Sequence, residues 1–139
     1  MATWNVGPYD NDDAVDWCTR LEAELPDSRI DMITSTLNSV NSAIPPLSMA
    51  QCCETIAAAA IVLQLLTGQR MSDSAYAPKF LTQVVVPPTS TPLRRLAIRA
   101  LRAVSAANSA WRDGWSDDVE ADEAAEMMRS LRRGLETAT

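Results

Sequence analysis

The chain has 139 residues, enough for one domain that buries roughly two thirds of its unfolded surface, and with 47% hydrophobic and 22% charged residues it excludes wholesale disorder. A formal net charge of −6 opposes encounter with nucleic acid or an anionic membrane, so neither is expected as a partner. There is no histidine, which removes His-dependent triads, the commonest general base and every His-containing zinc site.

The richest stretch comes first. From Trp4 to Trp17 the chain reads Trp-Asn-Val-Gly-Pro-Tyr-Asp-Asn-Asp-Asp-Ala-Val-Asp-Trp, a tight turn feeding a helix. Gly7-Pro8 punctuates the turn, Asp10 is the expected N-cap, and Asp12 and Asp13 place negative charge on the positive end of the helix. Trp4 and Tyr9 before the cap and Trp17 and Leu21 after it are apolar enough to clamp the entry. The stretch resembles the opening of the bacterial DUF4259 family, in the positions Trp4, Gly7, Tyr9, Asp10, Asn11, Asp12, Ala14, Asp16 and Trp17. It departs from that pattern at Asn5, where a second Gly is usual, and at Pro8 inside the turn. A later stretch, Glu54 to Gly68, is similar to the family's middle helix. The resemblance implies a fold and a bacterial origin; it supplies no activity, catalytic residue or cofactor.

Beyond the turn, Ala14, Trp17, Cys18, Leu21 and Leu25 recur at three- and four-residue spacing, which predicts a helix over 11–25 that ends before Pro26. Asp27 or Ser28 is expected to cap a second helix carrying Ile30, Ile33, Leu37 and Val40 on one face, closed by Pro45-Pro46. Ser48-Met49-Ala50-Gln51 has the form of a capping box, and the run from it to Thr67, closed by Gly68, is apolar on most sides. Such a helix belongs at the centre of a bundle, with Ala57 to Ala60 letting neighbours approach. Its longest apolar run, Ile56 to Leu66, is short for a bilayer span. Pro78 opens either a short helix with Phe80, Leu81, Val84 and Val85 or an extended piece at Val84–Val86. Ser90-Thr91-Pro92 then starts a helix with a stripe of Leu93, Ala97, Ala100, Val104, Ala107 and Trp111. Asp113-Gly114 breaks it, with Trp111 and Trp115 as anchors on either side, and a final helix over 117–136 buries Ala121, Ala124, Met128, Leu131 and Leu135.

The expected architecture is all-α, a bundle of five or six helices around a central Ala-rich one, with 1–139 as a single helical domain and residues 1–10 folded onto it as a turn. The N-terminus has acids where a secretory signal needs a basic start and an apolar run, so the expected location is the cytoplasm. Cys18, Cys52 and Cys53 show no Cys-x-x-Cys spacing and read as small buried hydrophobes, not as a disulfide framework or a zinc site.

Charge is unevenly spread. Residues 1–31 hold eight acids against Arg20 and Arg29, residues 94–112 hold five arginines and no acid, and residues from 113 onward hold eight acids against Arg129, Arg132 and Arg133. Arg95, Arg99 and Arg102, at i, i+4 and i+7, form one basic stripe. Its plain reading is a solvated face partly paired with acids of the first or last helix; its functional reading is a docking surface for an acidic protein partner. Asp12, Asp13 and Asp16 spell Asp-Asp-x-x-Asp, a spacing that suits magnesium bridging, and Glu123 and Glu126 could oppose them as in small all-α nucleotide pyrophosphatases. That alternative needs the two acidic groups to meet in one cleft. No phosphate-binding glycine fingerprint occurs among the four glycines, and no metal or cofactor is expected. The leading expectation is a non-enzymatic accessory or immunity-like interaction protein; the alternative is a small magnesium-dependent phosphohydrolase.

Overall fold

A computed structural model describes residues 8, 9, 11–42, 47–67, 90–105 and 118–137. Among these residues the chain forms five α-helices and no strand: α1 (Asp12–Ala23), α2 (Pro26–Ser42), α3 (Met49–Thr67), α4 (Ser90–Val104) and α5 (Asp118–Thr137).

The cap of α1 is Asn11, one residue later than the expected Asp10, which lies outside the described residues. Asn11 has an extended backbone, and its side-chain oxygen accepts the N–H of Ala14 at 2.8 Å, satisfying one of the first-turn donors that the helix itself leaves unbonded. Asp12 and Asp13 follow in the first turn, as the helix dipole favours. At the other end Arg29, reaching from α2, donates to the carbonyls of Leu21 and Glu22 at 3.3 and 3.0 Å and so caps α1 from outside. The second helix starts at Pro26 itself and not behind a cap at Asp27 or Ser28. Proline suits the first helical position because its φ is already helical and its missing N–H would have no acceptor there. Ser28 instead donates its backbone N–H to the carbonyl of Leu25 at 2.8 Å. Within α2 the hydroxyls of Thr34 and Ser39 turn back onto the carbonyls of Ile30 and Thr36, so these two polar side chains are satisfied within their own helix.

The capping box forms as its residues dictate. Ser48 N–H donates to Gln51 Oε1 at 2.9 Å and Gln51 N–H to Ser48 Oγ at 3.1 Å. From there α3 runs 19 residues, buried on nearly every side, with Ala57 to Ala60 wholly enclosed. By length and composition α3 is apolar enough to cross a bilayer, more than its uninterrupted apolar run implies; about two thirds of it is buried inside the protein, as in the core helix of a bundle. Each of the other four helices packs on α3, and α4 also packs on α2 and α5, whereas α1 and α2 touch lightly and α1 and α5 make no substantial contact.

In α4 the buried stripe is Ala97, Ala100, Leu101 and Val104, and in α5 it is Ala124, Met128, Leu131 and Leu135. Gly134 stands where α5 crosses Leu63 of α3: a Cβ added there would lie 2.8 Å from Leu63 Cδ2, so the absent side chain sets how closely the two helices approach. Arg94 of α4 donates to the carbonyls of Leu135 and Glu136 at 3.2 and 3.4 Å, the same outside capping that Arg29 gives α1. The expected features at Trp4, Gly7, Pro45-Pro46, Gly68, the Pro78 to Val86 segment, Ala107, Trp111 and Trp115 lie outside the described residues, as does the side chain of Ala121.

Candidate functional site

The apolar residues of the N-terminal motif contribute to the core wherever they are described. Tyr9 and Pro8 are buried, and Trp17 is 1% exposed. The indole N–H of Trp17 donates to Thr36 Oγ1 at 3.0 Å, tying α1 to α2. The Tyr9 hydroxyl has no hydrogen-bond partner among the described residues, and burial holds its phenol well above the usual value, with neighbouring Cys18 adding to the rise. Cys18 is itself pushed up to about 12, by burial first and Glu22 second, and Cys53 also to about 12, by burial first and then by Asp13, Cys52 and Glu54. Thiols so protonated are poor nucleophiles and poor metal ligands, which matches the reading of these residues as core hydrophobes.

The two acidic groups face different surroundings. Asp12 and Asp16 are exposed on α1, and Asp13 lies half-buried near Cys53 of α3. On α3 the adjacent Glu54 takes Arg20 of α1 at 2.9 Å. Glu123 and Glu126 are exposed on α5, a helix with no substantial contact to α1. Glu126 accepts two hydrogen bonds from Arg129, at 2.8 and 3.1 Å, and that donor holds its carboxyl below the ordinary value. Among the described residues no three Asp, Glu or Cys side chains are grouped so as to hold a metal ion. A small open pocket of about 130 Å³ lies between the N-terminal turn, α3 and α5, lined by Pro8, Leu63, Met127, Ser130 and Leu131, with no carboxylate in that lining. The structure therefore does not bring Asp12, Asp13 and Asp16 together with Glu123 and Glu126 in one cleft.

The basic stripe is arranged differently. Arg95, Arg99 and Arg102 are all exposed on α4, flanked by the half-buried Leu96 and Ile98. Arg95 and Arg99 form no ion pair within the described residues, while Arg102 lies 3.9 Å from Glu136 of α5. Arg132 approaches the same Glu136 oxygen at 3.8 Å, so the positive surface continues from α4 across Glu136 onto α5. Neither Arg132 nor Glu136 is legible from helical spacing on α4, since their place beside Arg102 depends on how the two helices pack.

The DUF4259 family model, a domain of unknown function, matches residues 2–127. The chain belongs to the DUF4259 family. No curated protein and no solved structure matches it. The family match spans the N-terminal turn, α1 to α4 and the first half of α5, which places Arg95, Arg99 and Arg102 inside it and Arg132 and Glu136 beyond its end. In this DUF4259 chain the buried polar anchor of the opening motif is Trp17 on Thr36, and its helix cap is Asn11.

Proposed function

We propose that this protein is a non-enzymatic interaction module that binds an acidic protein partner through the exposed basic face of α4. The observation that carries the reading is the line of Arg95, Arg99 and Arg102: three solvated cations on successive turns, two of them with no ion-pair partner among the described residues, in a chain whose net charge is −6. Like charges on adjacent turns repel by a few tenths of a kcal/mol per pair, so the stripe does not stabilise its own helix. Neighbouring apolar side chains, Leu96 and Ile98, supply surface that an arriving partner would cover. Complementary charge of this kind accelerates encounter and selects among partners more than it adds affinity.

The test is reversal of all three arginines to Glu. Surface substitutions of this type are expected to leave the circular dichroism spectrum and unfolding midpoint close to wild type. A partner captured from the native host by the wild-type protein, then purified and titrated in isolation, should lose binding to the reversed variant. Equal binding by both proteins would remove α4 from the interaction and overturn the reading.

A further inference from the structure

We propose that the basic face shared by α4 and α5 receives an acidic α-helix of the partner, and that Glu136 holds the place of one partner carboxylate until it arrives. The proposal rests on the reading of α4 as an interaction surface and adds the shape of the occupant and the residue that competes with it.

The spacing favours a helix. Along α4 the stripe steps by four and then three residues, about 6 and 4.5 Å, for a total of about 10.5 Å. A partner helix with acids at i, i+4 and i+7 repeats the same steps. An extended strand presents same-side residues about 6.7 Å apart, so its third carboxylate overshoots by about 3 Å. Half-buried Leu96 and Ile98 on either side of the stripe match the apolar positions that flank the acids of an amphipathic helix.

Glu136 is what makes the surface more than a stripe. Its Oε1 lies 3.9 Å from Arg102 Nη2 and 3.8 Å from Arg132 Nε, between two guanidinium groups yet beyond hydrogen-bond length from both. The same molecule shows a fully formed pair at Glu126 and Arg129, with two hydrogen bonds and a closest approach of 2.8 Å. The side chains of Arg102, Arg132 and Glu136 are 64%, 39% and 44% exposed, open to exchange with a carboxylate from solution. A charge-assisted, bidentate contact from an incoming Glu or Asp is the stronger alternative for either arginine. Nucleic acid is the poorer occupant because the remainder of the molecule repels phosphate.

The experiment uses the full chain and a fluorescein-labelled, Ala-rich synthetic helix of about twenty residues with Glu at i, i+4 and i+7. Its controls are a peptide of identical composition with the acids distributed around the helix, and an oligothymidylate of equal charge. Anisotropy titrations at low ionic strength should show the registered peptide binding about tenfold tighter than either control. Glu136→Gln should tighten that binding a further three- to fivefold, because a solvated competing charge is worth at most about that factor. No binding of the registered peptide, equal binding of either control, or an unchanged or weaker Kd for Glu136→Gln would overturn the proposal. If reversal of Arg95, Arg99 and Arg102 abolishes peptide binding while Glu136→Gln changes nothing, the proposal fails and the interaction reading of α4 stands; if the reversal changes nothing, that reading fails with it.

Discussion

Trp17 and Thr36 join α1 to α2 through one hydrogen bond, 3.0 Å from indole Nε1 to hydroxyl oxygen, in addition to the Arg29 bonds to the last carbonyls of α1, across a helix pair that otherwise touches lightly. Trp17 is buried and Thr36 half-buried, so the bond sits where an indole N–H has no water to turn to. Thr36→Val should cost about 1 to 3 kcal/mol, the penalty of a buried donor left unpaired, and Trp17→Phe should cost a similar amount through lost ring volume and the lost bond. The double variant should cost less than the two together by about 1 kcal/mol, since both remove one interaction. Denaturant unfolding of the four proteins measures it; strict additivity would mean that the bond contributes nothing to holding α1.

Asn11 decides whether the opening motif acts as scaffold. Its side chain caps α1 at Ala14 and its residue is 8% exposed, so Asn11→Ala should destabilise by about 0.5 to 2 kcal/mol, while Asn11→Asp should be close to neutral because Asp caps equally well. An Asn11→Ala variant with wild-type stability would show that the turn is held by other contacts.

Much of the fold was legible because its signals were local. Ser48 and Gln51 form a reciprocal pair that sequence spacing alone specifies, and the apolar run behind them leaves α3 no place but the centre. The buried faces of α2 and α5 follow from their periodicity in the same way. Where two neighbouring residues could do one job, sequence did not choose: Asp10 and Asn11 are both good caps, and it is Asn11 that bonds Ala14. Pro26 starting its own helix was obscured by two capable caps just behind it. Contacts that need tertiary geometry were illegible for a different reason. Arg94 and Arg95 are adjacent and chemically identical, yet one caps α5 and the other faces solvent. The separation of the two acidic groups belongs to this class too, since no sequence spacing states that α1 and α5 pack on different parts of α3.

The buried thiols give the protein an alkaline limit. Cys18 and Cys53 both rise from an ordinary 9.0 to about 12 in the folded state, for burial first. In the unfolded chain these groups lose their protons near pH 9, whereas the folded protein keeps them, so over that interval the native state binds more protons and stability falls as pH rises. The stability that protonated thiols contribute is fully present below about pH 9 and is lost progressively up to about pH 12. Cys18→Ala together with Cys53→Ala should flatten the decline measured by urea unfolding between pH 8 and pH 11, values chosen to straddle the start of that window. An unchanged slope in the double variant would assign the alkaline loss to other groups.

Gly134 and Leu63 allow the spacing between α3 and α5 to be tested directly. Glycine inside a helix costs about 1 kcal/mol relative to alanine, so Gly134→Ala should gain that amount if nothing stood in the way. A Cβ at this position would instead meet Leu63 Cδ2 at 2.8 Å and Cδ1 at 3.3 Å, and overpacking of this kind costs about 1 to 3 kcal/mol. Leu63 borders the open pocket of about 130 Å³ beside Met127 and Leu131, so its methyl groups have space to turn without moving either backbone. That freedom holds the cost near its lower end, and the expected net effect of Gly134→Ala is a loss of about 1 kcal/mol or less. In a Leu63→Ala background the clash is gone and only the helix preference remains, so the same substitution should there stabilise by up to about 1 kcal/mol. Unfolding midpoints of the wild type, both single variants and the double variant decide it: a loss of equal size in both backgrounds would mean that Leu63 is not the contact that fixes how near α5 comes to α3.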